Sequence, residues 1–176
     1  MSNNLDEEQC ARCGGQCCKH MPGATMPEDW PGDKIQALKT AFESGKWVID
    51  WWMGDPRPGC YELRRAYYVR PRATSDPHGL YCPTYGGRCV FLQDNGCELW
   101  PEERPAECRM LTPHPVSCDP AGVTKHECAI AWIPYNGDIV AAAGYEQCAE
   151  DMEDDEVDAA IDALVEMCFR FVGGEG

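Results

Sequence analysis

Ile35, Leu38, Ala41 and Phe42 recur at helical spacing between Asp33, which suits an N-cap, and Gly45, which suits a stop, so one helix is predicted there. From Lys46 to Trp52 the pattern changes to strict alternation, with Trp47, Ile49 and Trp51 on one face and Val48, Asp50 and Trp52 on the other. After the turn material MGDPRPG, alternation resumes from Tyr61 to Arg70, which predicts an antiparallel pair joined by a long loop. Arg65 interrupts the apolar face of that second strand and calls for an acidic partner or partial exposure. Ahead of these elements, Thr25 and Glu28 have capping-box spacing around Pro27, enough for one helical turn.

Residues 71–88 read as loop, leading to a short strand from Cys89 to Leu92 and a hairpin turn at Asn95-Gly96. Trp100-Pro101 and Arg104-Pro105 start short helical turns, the second presenting Cys108. Lys125 to Trp132 reads as helix, Asn136-Gly137 as a turn, and Ile139 to Ala149 as helix again. Val157, Ile161, Leu164, Val165 and Cys168 share one face of a C-terminal helix, opposite a face of Asp and Glu.

These elements are short for a chain of 176 residues, because 14 prolines and 17 glycines interrupt the apolar pattern. The length suits one domain spanning residues 1–176, and a loop-rich α+β domain needs a further constraint to hold it. The 13 cysteines offer that constraint. The formal charge of −15 disfavours nonspecific attraction to nucleic acid or anionic lipid. No apolar run reaches transmembrane length, so a soluble protein without a membrane partner is expected. From Glu146 onward eleven acidic residues face Arg170 alone, a solvated surface or a site for a basic protein partner.

Four cysteines, Cys10, Cys13, Cys17 and Cys18, crowd into the nine residues CARCGGQCC, and Cys89, Cys97 and Cys108 follow in CVFLQDNGCELWPEERPAECR. Thiolates at that density repel one another unless a soft or borderline cation holds them. Gly14 and Gly15 permit backbone N–H groups to turn towards sulfur. Seven thiols exceed one tetrahedral shell, which leaves two zinc ions or one iron–sulfur cluster with additional cysteines. Disulfides are the competing reading. Against them, the N-terminus MSNNLDEEQC lacks the basic and apolar regions of a signal peptide, the cysteine count is odd, and adjacent Cys17 and Cys18 do not readily bridge each other. A reducing cytoplasm is therefore expected.

Cys60, Cys82, Cys118, Cys128, Cys148 and Cys168 read first as small buried residues, with Cys82 and Cys118 the better placed to join the centre. His20 and His114 flank the clusters as surface or hydrogen-bonded histidines, and Arg104 and Arg109 read as counter-charges for thiolate. Trp47, Trp51, Trp52 and Tyr67 read as core or as a cover over a metal.

The combination of CARCGGQCC, CVFL and GCELWPEERPAECR resembles the bacterial cysteine-cluster family described as a zinc- or iron-chelating domain, to which flagellin lysine N-methylase is similar. ESGKWVIDWWMGDP and YYVRPR extend that resemblance over most of the chain. The resemblance implies Cys10, Cys13, Cys17, Cys18, Cys89, Cys97 and Cys108 as metal ligands, with Arg104, Pro105 and Arg109 completing the RPAECR signature. It further implies an iron–sulfur cluster, of the four-iron four-sulfur type, or zinc, and a possible methyl-transfer activity. No glycine-rich nucleotide fingerprint or catalytic triad stands in the sequence, and no catalytic residue is assigned. The expected function is metal binding, supporting redox or methyl-transfer chemistry; the alternatives are a zinc-stapled protein-interaction module and a metal-handling protein without catalysis.

Overall fold

The computed structural model describes residues 14–52, 54, 56–57, 65–76, 79–82, 86–94, 96–99, 101–112, 119–120 and 124–144. They form helices α1 (Gln16–His20), α2 (Lys34–Glu43), α3 (Ala106–Arg109), α4 (Lys125–Trp132) and α5 (Asn136–Ala142). Three two-stranded antiparallel sheets accompany them: β1 (Trp47–Trp52) with β2 (Ala66–Pro71), β3 (Leu92–Gln93) with β4 (Gly96–Cys97), and β5 (Leu111–Thr112) with β6 (Asp119–Pro120). The architecture is thus mixed α and antiparallel β, as the patterning predicts. Among the described residues no helix is long and apolar enough to cross a membrane.

The α2 helix begins where Asp33 accepts a hydrogen bond from the Gln36 N–H at 3.1 Å, and it stops at Gly45, whose φ of 68° few other residues tolerate. Leu38 and Ala41 are buried, but Ile35 lies on the exposed side, because helical spacing leaves it beyond the edge of the stripe that packs on β1 and α5. The α4 helix opens with a reciprocal capping box. The Thr124 N–H donates to the Glu127 carboxylate at 2.7 Å, while the Glu127 N–H donates to the Thr124 hydroxyl. Two starts differ from the sequence reading. Near Pro27 the box is closed by Asp29, which accepts from the Met26 N–H at 2.9 Å, and Thr25 instead donates to the Val69 carbonyl. Asn136-Gly137 forms the first turn of α5 rather than a break, since the Ile133–Tyr135 3₁₀ turn runs directly into that helix. The predicted C-terminal helix lies outside the described residues.

Pairing of Ile49 with Val69 and of Trp51 with Tyr67 sets the apolar face expected from alternation. Arg65 at its margin places its guanidinium over the Trp51 ring, 5.1 Å from the centroid. The α4 and α5 helices pack on β2, burying Trp132 and Ile139 completely. The Trp132 indole N–H reaches the Thr25 carbonyl at 2.8 Å. A second, smaller apolar cluster holds Cys89, Phe91 and Leu92, against which Cys18, Val90, Cys97 and Leu99 pack. Trp47 touches both clusters.

Arg70 has no solvent exposure. Its Nε donates to Asp50 at 2.7 Å, its Nη1 to Asp76 at 2.7 Å and its Nη2 to the Cys82 carbonyl at 2.7 Å. The two carboxylates and the carbonyl together replace the water a guanidinium loses on burial. Removing one carboxylate should leave the cation undercompensated: Asp50→Asn is expected to cost about 3 to 5 kcal/mol in urea unfolding, the magnitude typical of breaking a buried pair.

Candidate metal centre

Two backbone contacts bring the cysteine-rich segments together. The Cys89 N–H donates to the Cys18 carbonyl at 2.7 Å, and the Gly87 N–H donates to the His20 carbonyl at 2.7 Å. The α1 helix, which carries Cys17 and Cys18, is thereby fastened along the 86–89 segment. Gly15 permits this approach twice over. Its φ is 70°, and a Cβ there would lie 2.5 Å from Leu92 Cδ1.

The β3–β4 hairpin pairs Leu92 with Cys97 and Gln93 with Gly96, and the Glu98 N–H closes on the Phe91 carbonyl at 2.7 Å. Cys89 sits at the mouth of this hairpin, bridged to Ala73 rather than in a continuous strand, because the chain turns at residues 90–91. The Phe91 backbone hydrogen-bonds Cys89, and the Leu99 backbone hydrogen-bonds Cys97. Each donor lies two residues beyond its cysteine, an arrangement that stabilises thiolate and suits a metal-bound sulfur.

Cys108 arrives on α3, which is clamped to the 22–29 segment. The Ala24 N–H donates to the Glu107 carboxylate at 2.6 Å, and the Glu107 N–H returns to the Ala24 carbonyl. Asp29 caps α3 by accepting from the Ala106 N–H at 2.9 Å and pairs with the Arg109 guanidinium. The Cys108 thiol then lies against Gly23, where a Cβ would come within 2.5 Å of Sγ.

Burial pushes the Cys89 thiol up to about 11, and the nearby Cys97 and Cys17 add to the rise while the Phe91 hydrogen bond and Arg70 oppose it. Burial also raises Cys97, with the Leu99 hydrogen bond and Arg104 opposing and Cys17 reinforcing. Cys108 is driven well above the ordinary thiol range by burial first, then by Glu107, Cys17, Cys89 and Cys97. Cys17, Cys89, Cys97 and Cys108 therefore lie within one another's electrostatic field, although they come from three separate stretches of chain. This donor set fits a borderline or soft metal: all four donors are sulfur, and two of them have backbone N–H support. Among the described residues, however, no group of three or more His, Cys, Asp or Glu side chains stands in a ready coordination shell.

The Cys18 sulfur is 3.9 Å from that of Cys17, and the Cys18 side chain, like that of Cys97, packs against the Cys89, Phe91 and Leu92 cluster. Cys10 and Cys13 lie outside the described residues, as do His114, Cys60, Cys118, Cys148 and Cys168. Cys82 and Cys128 are fully buried, and Cys128 belongs to the main core with its sulfur 3.8 Å from the Ala24 carbonyl. His20 is exposed at the end of α1. Arg104 is buried, donates to the Leu99 carbonyl at 2.9 Å and faces Cys97, whereas Arg109 is occupied by Asp29 and the Arg104 and Glu102 carbonyls. Patterning did not single out Gly23, Asp29 or Glu107. Asp29 and Glu107 lie 77 and 83 residues from the backbone N–H groups they accept from, a separation no local signal spans.

Because Gly23 has no room for a methyl group, Gly23→Ala should displace Cys108. The expected loss is about 1 to 3 kcal/mol in urea unfolding, the usual cost of overpacking, with faster alkylation of Cys108 by iodoacetamide located by peptide mass. No protein-family model matches the chain, and no curated protein or solved structure is similar to it at a significant level.

Proposed function

We propose that the protein binds a metal centre, an iron–sulfur cluster or zinc, through clustered cysteine thiolates. The observation that carries this reading is the closeness of four cysteines from three stretches of chain: Cys17 raises the proton affinity of Cys89 and Cys97, Cys97 raises that of Cys89, and all three raise that of Cys108. Four sulfurs gathered in a half-buried setting and left protonated bring little stability to a loop-rich chain, whereas a cation that displaces their protons ties three segments together. Cys10, Cys13 and Cys18 complete the candidate set read from the sequence, and Cys18 packs against the apolar cluster that contains Cys89. Cys18, Cys89, Cys97, Cys108 and Cys128 carry free thiols, which agrees with a reducing compartment such as the cytoplasm.

In this reading Cys17, Cys89, Cys97 and Cys108 hold the centre, the Phe91 and Leu99 N–H groups support two of the sulfurs, and Arg104 offsets part of their charge. The bound metal supplies cross-linking and, as an iron–sulfur cluster, electron transfer. Methyl transfer would require a further cofactor site, which nothing among the described residues supports.

Elemental analysis and visible absorption of protein prepared without oxygen test the reading. Cys17→Ser and Cys108→Ser are each expected to weaken metal retention at least about tenfold and to lower the melting temperature, while Cys128→Ala keeps the metal content of the parent chain. Full occupancy and unchanged melting in both serine variants would exclude those two residues as ligands.

A further inference from the structure

A cleft of about 390 Å³ opens beside the cysteine centre, between the turn at Pro27–Asp29 and the turn at Pro101–Glu103. Its surface is mainly apolar, with Trp30 and Trp47 in edge contact, ring centroids 5.0 Å apart, and Pro31 beside them. Trp30 is held in place by its indole N–H, which donates to the Thr25 hydroxyl at 3.2 Å, and Trp47 is braced from behind by Phe91 at 5.2 Å. Both indoles are only half-buried, so each presents ring surface to the cleft although fixed on its other side.

Among the described residues that line the cleft, the exposed charges are carboxylates, while the Lys34 ammonium behind one turn donates to the Pro27 and Trp30 carbonyls. Glu28 stands on one turn and Glu102 and Glu103 on the other, all three exposed. Among the described lining residues the one cation is Arg109, which is paired with Asp29, whose carboxylate also serves the Met26 and Ala106 N–H groups. A bare divalent cation gains nothing from indole walls and requires converging oxygens, and no such oxygen group exists among the described residues. Anions are repelled. The chemistry complementary to an apolar, aromatic cleft with carboxylates on two separate turns is a flexible hydrocarbon stem bearing ammonium groups at both ends. Its methylenes cover indole, its ends pair with carboxylates, and its cations draw additional attraction from the ring faces.

We propose that this cleft binds a small linear alkyl diamine in its doubly protonated form. Alkylammonium groups titrate near ~10, so both ends are charged at neutral pH. This site is separate from the metal reading: no thiol of the described residues lines it, and it stands or falls whether or not Cys17, Cys89, Cys97 and Cys108 hold a metal.

Isothermal titration of the full chain with 1,4-diaminobutane, n-butylamine and 1,4-butanediol tests it, with tryptophan fluorescence recorded in parallel. The diamine is expected to bind at one site and perturb tryptophan emission. Butylamine, with one charged end, should bind about tenfold more weakly, and the uncharged diol should not bind measurably, since one charge-assisted hydrogen bond is worth about a factor of ten. The double variant Glu102→Gln and Glu103→Gln, both exposed positions, should keep the parent melting temperature and lose diamine affinity by about tenfold or more. Equal affinity of the parent and double variant overturns the proposal. So does multi-site binding insensitive to these substitutions, the signature of counter-ions gathering around a chain of charge −15.

Discussion

A guanidinium sealed from water sets the geometry of this molecule. Arg70 can remain charged at zero exposure only if every donor faces oxygen, and the oxygens come from β1, from the 72–76 turn and from the backbone at Cys82. Asp76 also accepts from the Ala73 N–H at 2.7 Å, closing the turn whose Ala73 bridges Cys89. The cation thus fixes the approach of the second cysteine-rich segment. Its charge also reaches Cys89 and opposes the effect of burial on that thiol. One residue therefore joins the packing of the sheet to the electrostatics of the sulfurs.

The remaining fastenings around the cysteines have the same character: few long elements, many side-chain-to-backbone bonds. Asp29 and Glu107 lock α3 to the segment after α1, and the Cys18 and His20 carbonyls take N–H groups from residues 87 and 89. Each bond satisfies a backbone group that a regular sheet or helix would otherwise satisfy, which is how a proline- and glycine-rich chain buries its loops. Among the described residues the apolar cluster beneath the sulfurs is small, with Cys89, Phe91 and Leu92 as its buried members. A metal bridging thiols from three stretches would supply the missing cohesion.

Local physics made much of this legible in the amino-acid order. Asp33 and Gly45 bracket α2 as caps should, alternation located β1 and β2, and Lys125 to Trp132 is helical over its whole expected length. A hairpin does follow Cys89, but Gly96 stands in β4 opposite Gln93 rather than at the turn itself, and Cys97 lies near enough to Cys89 to add to the rise of its thiol. The failures have a common origin. Asn136-Gly137 has turn propensity, yet the preceding 3₁₀ turn carries the chain into α5 and packing against α2 and β2 prevails. Thr25 has the right chemistry for a cap, but a long-range bond to Val69 claims its hydroxyl. Nothing in the local sequence marks Asp50, Asp76, Asp29 or Glu107 for their roles, and only the folded chain brings them to the donors they serve. The steric allowance at Gly23 against which the Cys108 thiol lies has no signal in the sequence.

The position of Trp47 between the two apolar clusters divides the described structure into unequal cooperative units. Helices α2, α4 and α5 with the β1–β2 ribbon share enough buried surface to persist as a native block, while the sulfur-bearing hairpin and α1 contribute few side chains to it. Opening of the smaller unit can then proceed as a partial event, with the indole as its hinge pin, and amide protons at residues 87 and 89 would exchange ahead of those in the ribbon. The sulfur-bearing end is consequently the described part of the fold whose order the proposed metal would govern most.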